Sequence, residues 1–347
     1  MILFECDYQE GAHPEILQKL TETNLVQTIG YGEDPYCAEA RILIQQAIAD
    51  TDSAVHFLVG GTQTNTTFIA SVLRPHQGVL AAHTGHIATH ETGAIEATGH
   101  KVITLHSPDG KIDAMQVAEA CRNHWADSSH EHVVQPGMVY VSQPTESGTL
   151  YSKQELTELR NVCREYNLPF YIDGARLGYG LASPANDVTL TDLPQLCDAF
   201  YIGGTKQGAL FGEALVINNP AFQKDFRYHI KQKGGLLAKG RLLGIQFACL
   251  FSNDLYLKMA QHAIDMAMKL KNAFDTLGIP MMCTSHTNQQ FPILANDVIA
   301  TLRKKYVFLD WDKTDNEHTA VRFCTSWATE EMHVIQLIKD IEELMAN

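Results

Sequence analysis

Two short apolar runs, each stopped by glycine and a charged residue, constrain this chain more than any other feature. The first reads Phe170-Tyr171-Ile172-Asp173-Gly174-Ala175-Arg176; the second reads Phe200-Tyr201-Ile202-Gly203-Gly204-Thr205-Lys206-Gln207-Gly208. Runs of this length and composition read as buried strands of a parallel sheet. A charge where such a strand ends lies at the sheet's carboxyl edge, where open α/β sheets bind ligands. An acid, Asp173, and an amine, Lys206, are thus offered to one crevice.

That pairing has a specific chemical use. Pyridoxal phosphate (PLP) requires a lysine for its Schiff base and a carboxylate beside its pyridine nitrogen. Either motif alone reads equally well as a strand end or a surface turn. Together, in this order and after buried strands, they point to PLP.

The rest of the chain supplies a frame for such a site. Val55–Val59 reads as a strand running into Gly60-Gly61-Thr62-Gln63-Thr64-Asn65, with a helix from Thr66 to Leu73. A glycine turn feeding a helix start is a natural phosphate cradle. The alternative is a plain turn with Thr62 or Thr64 as helix cap. Further strands are read at Gly78–Ala82, Lys101–Leu105 and Met138–Ser142, with helices at Asp113–His124 and Ser152–Tyr166. Ser152 and Glu155 form a capping box for the second of these helices. Residues 180–190 read as an irregular loop, and Glu213–Ile217 as the hairpin partner of the Lys206 strand. This alternation predicts a doubly wound, mostly parallel α/β sheet.

His83, His86 and His90 share one helical face. A zinc site there stands against solvated or capping histidines and against an imidazole stacked on a cofactor ring. No Glu-x-x-His pattern supports zinc, and no metal is expected.

From Phe222 the chain reads as a basic helix to Gln232, then Gly234-Gly235, then a long helical stretch from Arg241 to Leu277. Short strands follow around Gln290–Leu294, Tyr306–Trp311 and Ala320–Thr325, with a closing helix Glu330–Met345. The expected organisation is an N-terminal arm (1–15), a large α/β domain (16–249) and a small α+β domain (250–347). Arg322, within a strand of the last, reads either as a surface ion pair or as a clamp for a substrate carboxylate.

The 347 residues carry a net charge of −14, which argues against nucleic acid and anionic membrane surfaces as partners. No apolar run approaches about 18 residues, and Met1–Asp7 does not read as a signal peptide. Eight scattered cysteines, none in a Cys-x-x-Cys, read as reduced thiols of a cytoplasmic protein.

In the order of its motifs the chain resembles the threonine aldolase and β-eliminating lyase family of fold-type-I PLP enzymes over nearly its whole length. The marks are Tyr31-Gly32-Glu33-Asp34-Pro35, Gly61-Thr62-Gln63-Thr64-Asn65, His86 with Glu91, Asp173-Gly174-Ala175-Arg176-Leu177, Thr205-Lys206 and Val321-Arg322-Phe323-Cys324-Thr325-Ser326. The resemblance implies that Lys206 bonds PLP, Asp173 pairs with the ring nitrogen and His86 stacks on the ring. It implies that Gly61, Thr62 and Gln63 hold the phosphate, and that Arg176 and Arg322 bind the substrate carboxylate. It further implies a homodimer or homotetramer in which Tyr31, and by the same logic Lys239, reach a neighbouring subunit's site.

Two departures bear on substrate choice. Glu5-Cys6-Asp7-Tyr8 stands where the family commonly has Arg-Ser-Asp-Thr, so Cys6 replaces the serine that touches substrate. Pro144-Thr145-Glu146 stands where many members have Asn-Thr-His, a pattern that looks more like the phenylserine aldolase branch. Glu146 and His86 are the candidate bases. The implied reaction cleaves a β-hydroxy-α-amino acid to glycine and an aldehyde. The alternatives are a β-eliminating lyase releasing pyruvate and ammonia, and a non-catalytic relative of the same fold.

Overall fold

A computed structural model describes residues 1–346. Its centre is a seven-stranded sheet of β1 (Ala54–Leu58), β2 (Gln77–Ala82), β3 (Val102–Leu105), β4 (Gln135–Ser142), β5 (Phe170–Asp173), β6 (Ala199–Gly203) and β7 (Glu213–Ile217). The spatial order is β1-β7-β6-β5-β4-β2-β3. Strand β7 runs antiparallel to both β6 and β1, and every other neighbouring pair is parallel. The expected hairpin after the Lys206 strand is therefore present, with Gly203 opposite Glu213.

The strands are largely apolar because both faces are covered. Val139, Val141, Phe170, Ile172, Phe200 and Ile202 fill the core on one face. The intervening residues Met138, Tyr140, Tyr171 and Tyr201 fill the other. Alternation along a strand thus gathers the tyrosine hydroxyls on a single side of the sheet. Parallel register sets Ser142 beside Asp173 on that side.

The C-terminal part is built on His318–Cys324, which pairs antiparallel with Ile293–Ala295, Leu309–Lys313 and Gln289–Gln290. Helices Leu255–Thr276 and Glu331–Met345 pack against it around Phe4, Phe274, Phe308, Phe323 and Leu337. The first residues do not stand apart from this core. Ile2–Leu3 pairs in parallel with Tyr306–Val307, and the Cys324 N–H donates to the Phe4 carbonyl at 2.9 Å. Asp7 is carried between the two parts of the molecule in this way.

Several local expectations need correction. The helix after the glycine pair starts at Gly61 and runs to Val72, so Thr62 and Thr64 lie inside it and neither caps it. Thr64 Oγ1 instead donates to the Gly60 carbonyl at 2.9 Å. The three histidines do not share a helix: the helical turn is His86–Thr89, and His83 stacks on His106 with ring centroids 5.3 Å apart. The stretch from Arg241 to Leu277 is two helices, Arg241–Leu250 and Leu255–Thr276, separated where Asn253 and Asp254 adopt left-handed φ of 54° and 57°. The irregular loop read at 180–190 is present from 182 onward, its first two residues closing a short helix, Leu177–Leu181. The capping box at Ser152 and Glu155 is present as read.

Candidate active site

Asp173 closes β5 and is 3% exposed. The chain turns sharply behind it, and a Cβ at Gly174 would lie 1.9 Å from the Tyr201 carbonyl oxygen, so only glycine fits. Asp173 Oδ2 accepts from Tyr140 Oη at 2.6 Å and from Asn65 Nδ2 at 3.0 Å, and Oδ1 accepts from the Ala175 N–H at 3.0 Å. Asn65 Nδ2 also donates to Glu91 Oε1 at 2.8 Å, and that same oxygen meets His86 Nδ1 at 2.8 Å. One amide thus links the Asp173 carboxylate to the Glu91–His86 pair. Burial alone would lower the His86 pKa, but its hydrogen bond to Glu91 and the charges of Asp173 and Glu91 outweigh it and raise it.

Lys206 sits in the turn between β6 and β7. Tyr179 Oη donates to its carbonyl oxygen at 2.5 Å. Its Nζ makes no hydrogen bond or ion pair among the described residues. Burial and the Arg176 charge pull its pKa down, opposed by Asp7, Asp173 and Glu213. A lysine lowered in this way gives up its proton more readily, which favours its use as a nucleophile.

The backbone N–H groups of Gly61, Thr62 and Gln63 precede the first intrahelical bond, from the Thr64 N–H to the Gly60 carbonyl, and have no acceptor among the described residues. They form the start of a 12-residue helix whose dipole favours an anion there. The Thr62 side chain is exposed. The Gln63 side chain is committed elsewhere, accepting from the Val59 N–H at 3.1 Å and donating to the Lys233 carbonyl at 3.0 Å. Gln63 therefore offers an anion its backbone N–H alone.

The two arginines differ from each other. Arg176 grips Asp7 in a fork, Nε to Oδ2 at 2.7 Å and Nη2 to Oδ1 at 3.0 Å. Asp7 is fully buried and also accepts from Asn288 Nδ2 at 2.9 Å. Arg176 is thus no free clamp: two of its nitrogens are already spent on a carboxylate of its own chain. Arg322 is held by Gln289 Oε1 at 3.1 Å and the Glu5 carbonyl at 2.9 Å, and it lies 5.0 Å from the Trp311 ring centre. Its Nε is buried without a partner. Cys6 falls between Glu5, which binds Arg322, and Asp7, which binds Arg176. The structure therefore brings Cys6 and both arginines to one place.

Glu146 Oε1 accepts from Ser142 Oγ at 2.7 Å and from the His86 N–H at 3.0 Å, whereas its Oε2 is shut from solvent with no partner. Burial, reinforced by Asp173, raises its pKa, against the Ser142 hydrogen bond and the His86 charge. Tyr31 is 47% exposed and is occupied by Lys231, whose Nζ lies 4.8 Å from the ring centre. Lys239 is also exposed. Neither joins the cluster around Lys206 in its own chain. Among the described residues no group of three or more His, Cys, Asp or Glu is placed to hold a metal ion.

Sequence reasoning missed Asp7, Asn65, Tyr140, Ser142 and Glu213. The strand alternation Tyr140/Ser142 beside Tyr171/Asp173 was a usable signal for two of them.

The mostly parallel sheet with Lys206 and Asp173 at one edge is the fold of fold-type-I PLP-dependent enzymes. Thermus thermophilus aspartate aminotransferase shares that fold at 12% identity, with a TM-score of 0.71 over 99% of this chain and 91% of that one. Residues 10–297 match the β-eliminating lyase family, and the chain belongs to it. A solved structure of Leishmania major threonine aldolase is 44% identical, with a TM-score of 0.97 over 99% of this chain and 100% of that one. The low specificity L-threonine aldolase of Pseudomonas aeruginosa is 30% identical over 99% of this chain and 97% of its own length. That of Pseudomonas sp. (strain NCIMB 10558) is 29% identical over 99% and 98%.

Proposed function

We infer that this protein is a PLP-dependent aldolase that cleaves a threonine-type β-hydroxy-α-amino acid to glycine and an aldehyde. The carrying observation is the convergence of an unpartnered lysine, a hydrogen-bonded aspartate and an open helix start in a chain that matches threonine aldolases end to end. The residues present fit PLP: three N–H groups without acceptors for its phosphate, Asp173 for its ring nitrogen, His86 for its ring face and Lys206 for its aldehyde carbon. PLP supplies the electron sink for the pair released when the Cα–Cβ bond breaks.

This chain's own groups do the rest. Arg322, with a buried unpartnered Nε, takes the substrate carboxylate, assisted by the remaining Nη of Arg176 and by Cys6. Fixing the carboxylate sets the rotation about the Cα–N bond, and such positioning is worth about 7–11 kcal/mol in well-oriented models. Glu146 Oε2, the buried oxygen without a partner, takes the proton of the β-hydroxyl. His86, whose N–H orients Glu146, covers the ring. Lys206 returns a proton to Cα of the glycine product.

The direct test adds L-threonine, L-allo-threonine and L-phenylserine to the PLP-loaded protein and assays glycine and aldehyde. Glycine release supports the reading, and pyruvate without glycine overturns it in favour of β-elimination. The Glu146 assignment has its own readout. A carboxyl with a raised pKa becomes a base only as pH rises through that raised value, so kcat should climb along an acid limb. Glu146→Gln is expected to lower kcat by roughly a hundredfold and to abolish that limb. Full cleavage by Glu146→Gln beside an inactive His86→Asn would transfer the base to His86.

The exposure of Tyr31 and Lys239 supports an assembly of two or four copies in which these residues serve a neighbour's site. Light scattering on a fully active monomer would remove that part of the reading.

A further inference from the structure

The two arginines of the crevice are held by unlike partners. Arg176 faces an acid, and its fork on Asp7 spends its charge within the chain. Arg322 has no ion-pair partner among the described residues. Both oxygens that it binds are neutral, Gln289 Oε1 at 3.1 Å and the Glu5 carbonyl at 2.9 Å. Glu5 gives Arg322 its backbone rather than its carboxylate, which accepts from Gln9 Nε2 at 3.3 Å. The Trp311 ring, 5.0 Å from the guanidinium, favours a cation without cancelling it.

Strand register places Gln289 for this contact. It lies opposite Cys324 in an antiparallel pair, and Arg322 is two residues before Cys324 on the same strand. Residues two apart on a strand share a face, so Gln289 and Arg322 meet on one side of the small sheet. Gln289 is wholly buried, and with its oxygen turned to Arg322 its Nε2 is left without a partner. A glutamate would leave no orphaned N–H there and would pair with Arg322 as Asp7 pairs with Arg176. The amide is the less satisfied group of the two, and it is the one that leaves the guanidinium its charge. The preceding residue supports the other arginine: Asn288 Nδ2 donates to Asp7 Oδ2 and to the Thr325 carbonyl, each at 2.9 Å.

We propose that Gln289 is a positioning residue for Arg322 and sets the charge of the carboxylate subsite. It aims the guanidinium through a neutral oxygen, so that Arg322 rather than Arg176 supplies the positive charge that recognises a substrate carboxylate. This rests on Arg322 being the residue that takes the substrate carboxylate.

The test titrates the visible band of the PLP-loaded protein with glycine and with glycinamide, which lacks the carboxylate, for the wild type, Gln289→Glu and Gln289→Met. Gln289→Glu gives Arg322 an internal counter-charge, so glycine should bind about tenfold or more weaker. Glycinamide should stay within about twofold of the wild type, because it makes no demand on that charge. Gln289→Met keeps the charge and loses the aim, so glycine should weaken by about threefold, less than in Gln289→Glu. The KM for L-threonine should rise in the same order, with kcat changing less. Gln289→Glu that binds glycine as the wild type does, or that loses glycine and glycinamide alike, overturns the proposal; the second result would leave Gln289 as a tie for the fold. If Gln289→Glu does not fold or take up PLP, Gln289→Met decides, and unchanged glycine binding there overturns the proposal. Failure of the underlying reading looks different. Without PLP chemistry the wild type itself shows no visible band, and without a carboxylate site at Arg322 the wild type shows the band but no preference for glycine over glycinamide; either result overturns the proposal as well.

Discussion

Replacing Lys206 with alanine is expected to remove the visible absorption of lysine-bound PLP and to cut turnover by on the order of a thousandfold or more. The size follows from how completely the site is built around one amine. The hairpin of β6 and β7 delivers it, Tyr179 holds its backbone, and burial with Arg176 lowers its pKa. The fold should be almost indifferent to the change, because Nζ bonds to nothing among the described residues. The urea midpoint should therefore stay put while activity disappears. Substantial turnover by Lys206→Ala, or an unaltered visible band, would show that the cofactor is bonded elsewhere.

What could be read from the sequence was what the chain repeats locally. Asp173 and Lys206 were legible because each ends a buried strand, and the edge of a parallel sheet is fixed once the strands are identified. The capping box at Ser152 was legible because both partners lie within one turn. The partners of Arg176 were not, since Asp7 lies 169 positions away and Asn288 is 281 positions from Asp7. Only the closed fold brings them together.

The helix start was misplaced for a related reason. A run of threonines is a weak helix former, but burial of Thr64, Asn65 and Thr67 against the sheet overrides that preference. Asn65 could then reach Asp173 and Glu91 from a helix that begins at Gly61. The break between the two long C-terminal helices did have a local sign. Asn253-Asp254 is a pair that tolerates the left-handed conformation both residues adopt.

The Asp7–Arg176 pair should be the most fragile electrostatic feature of the molecule. Asp7→Ala is expected to destabilise the protein by about 3–5 kcal/mol, because it leaves a guanidinium buried without its counter-charge. Asp7 is wholly enclosed, and the Arg176 side chain is only 12% exposed, so solvent cannot replace what is lost. The cost measures the orphaned charge rather than the worth of the pair. The double variant Asp7→Ala/Arg176→Met should accordingly recover a good part of it in denaturant unfolding. The pH dependence has a definite sign. Burial alone would raise the Asp7 carboxyl, but the charges of Arg176 and Lys206 and the hydrogen bonds from Arg176 and Asn288 hold it below the ordinary value of 3.8. Its contribution to stability is therefore complete above that value and is lost as pH falls through the lower, folded-state pKa. Asp7→Asn should flatten this part of the acid-unfolding curve. It should also raise the KM for substrate more than it lowers kcat, since Arg176 would keep its place but lose its fixed orientation beside Cys6 and Arg322. Equal stability of wild type and Asp7→Ala would mean that Arg176 finds another partner, and the crevice would then be assembled without Asp7.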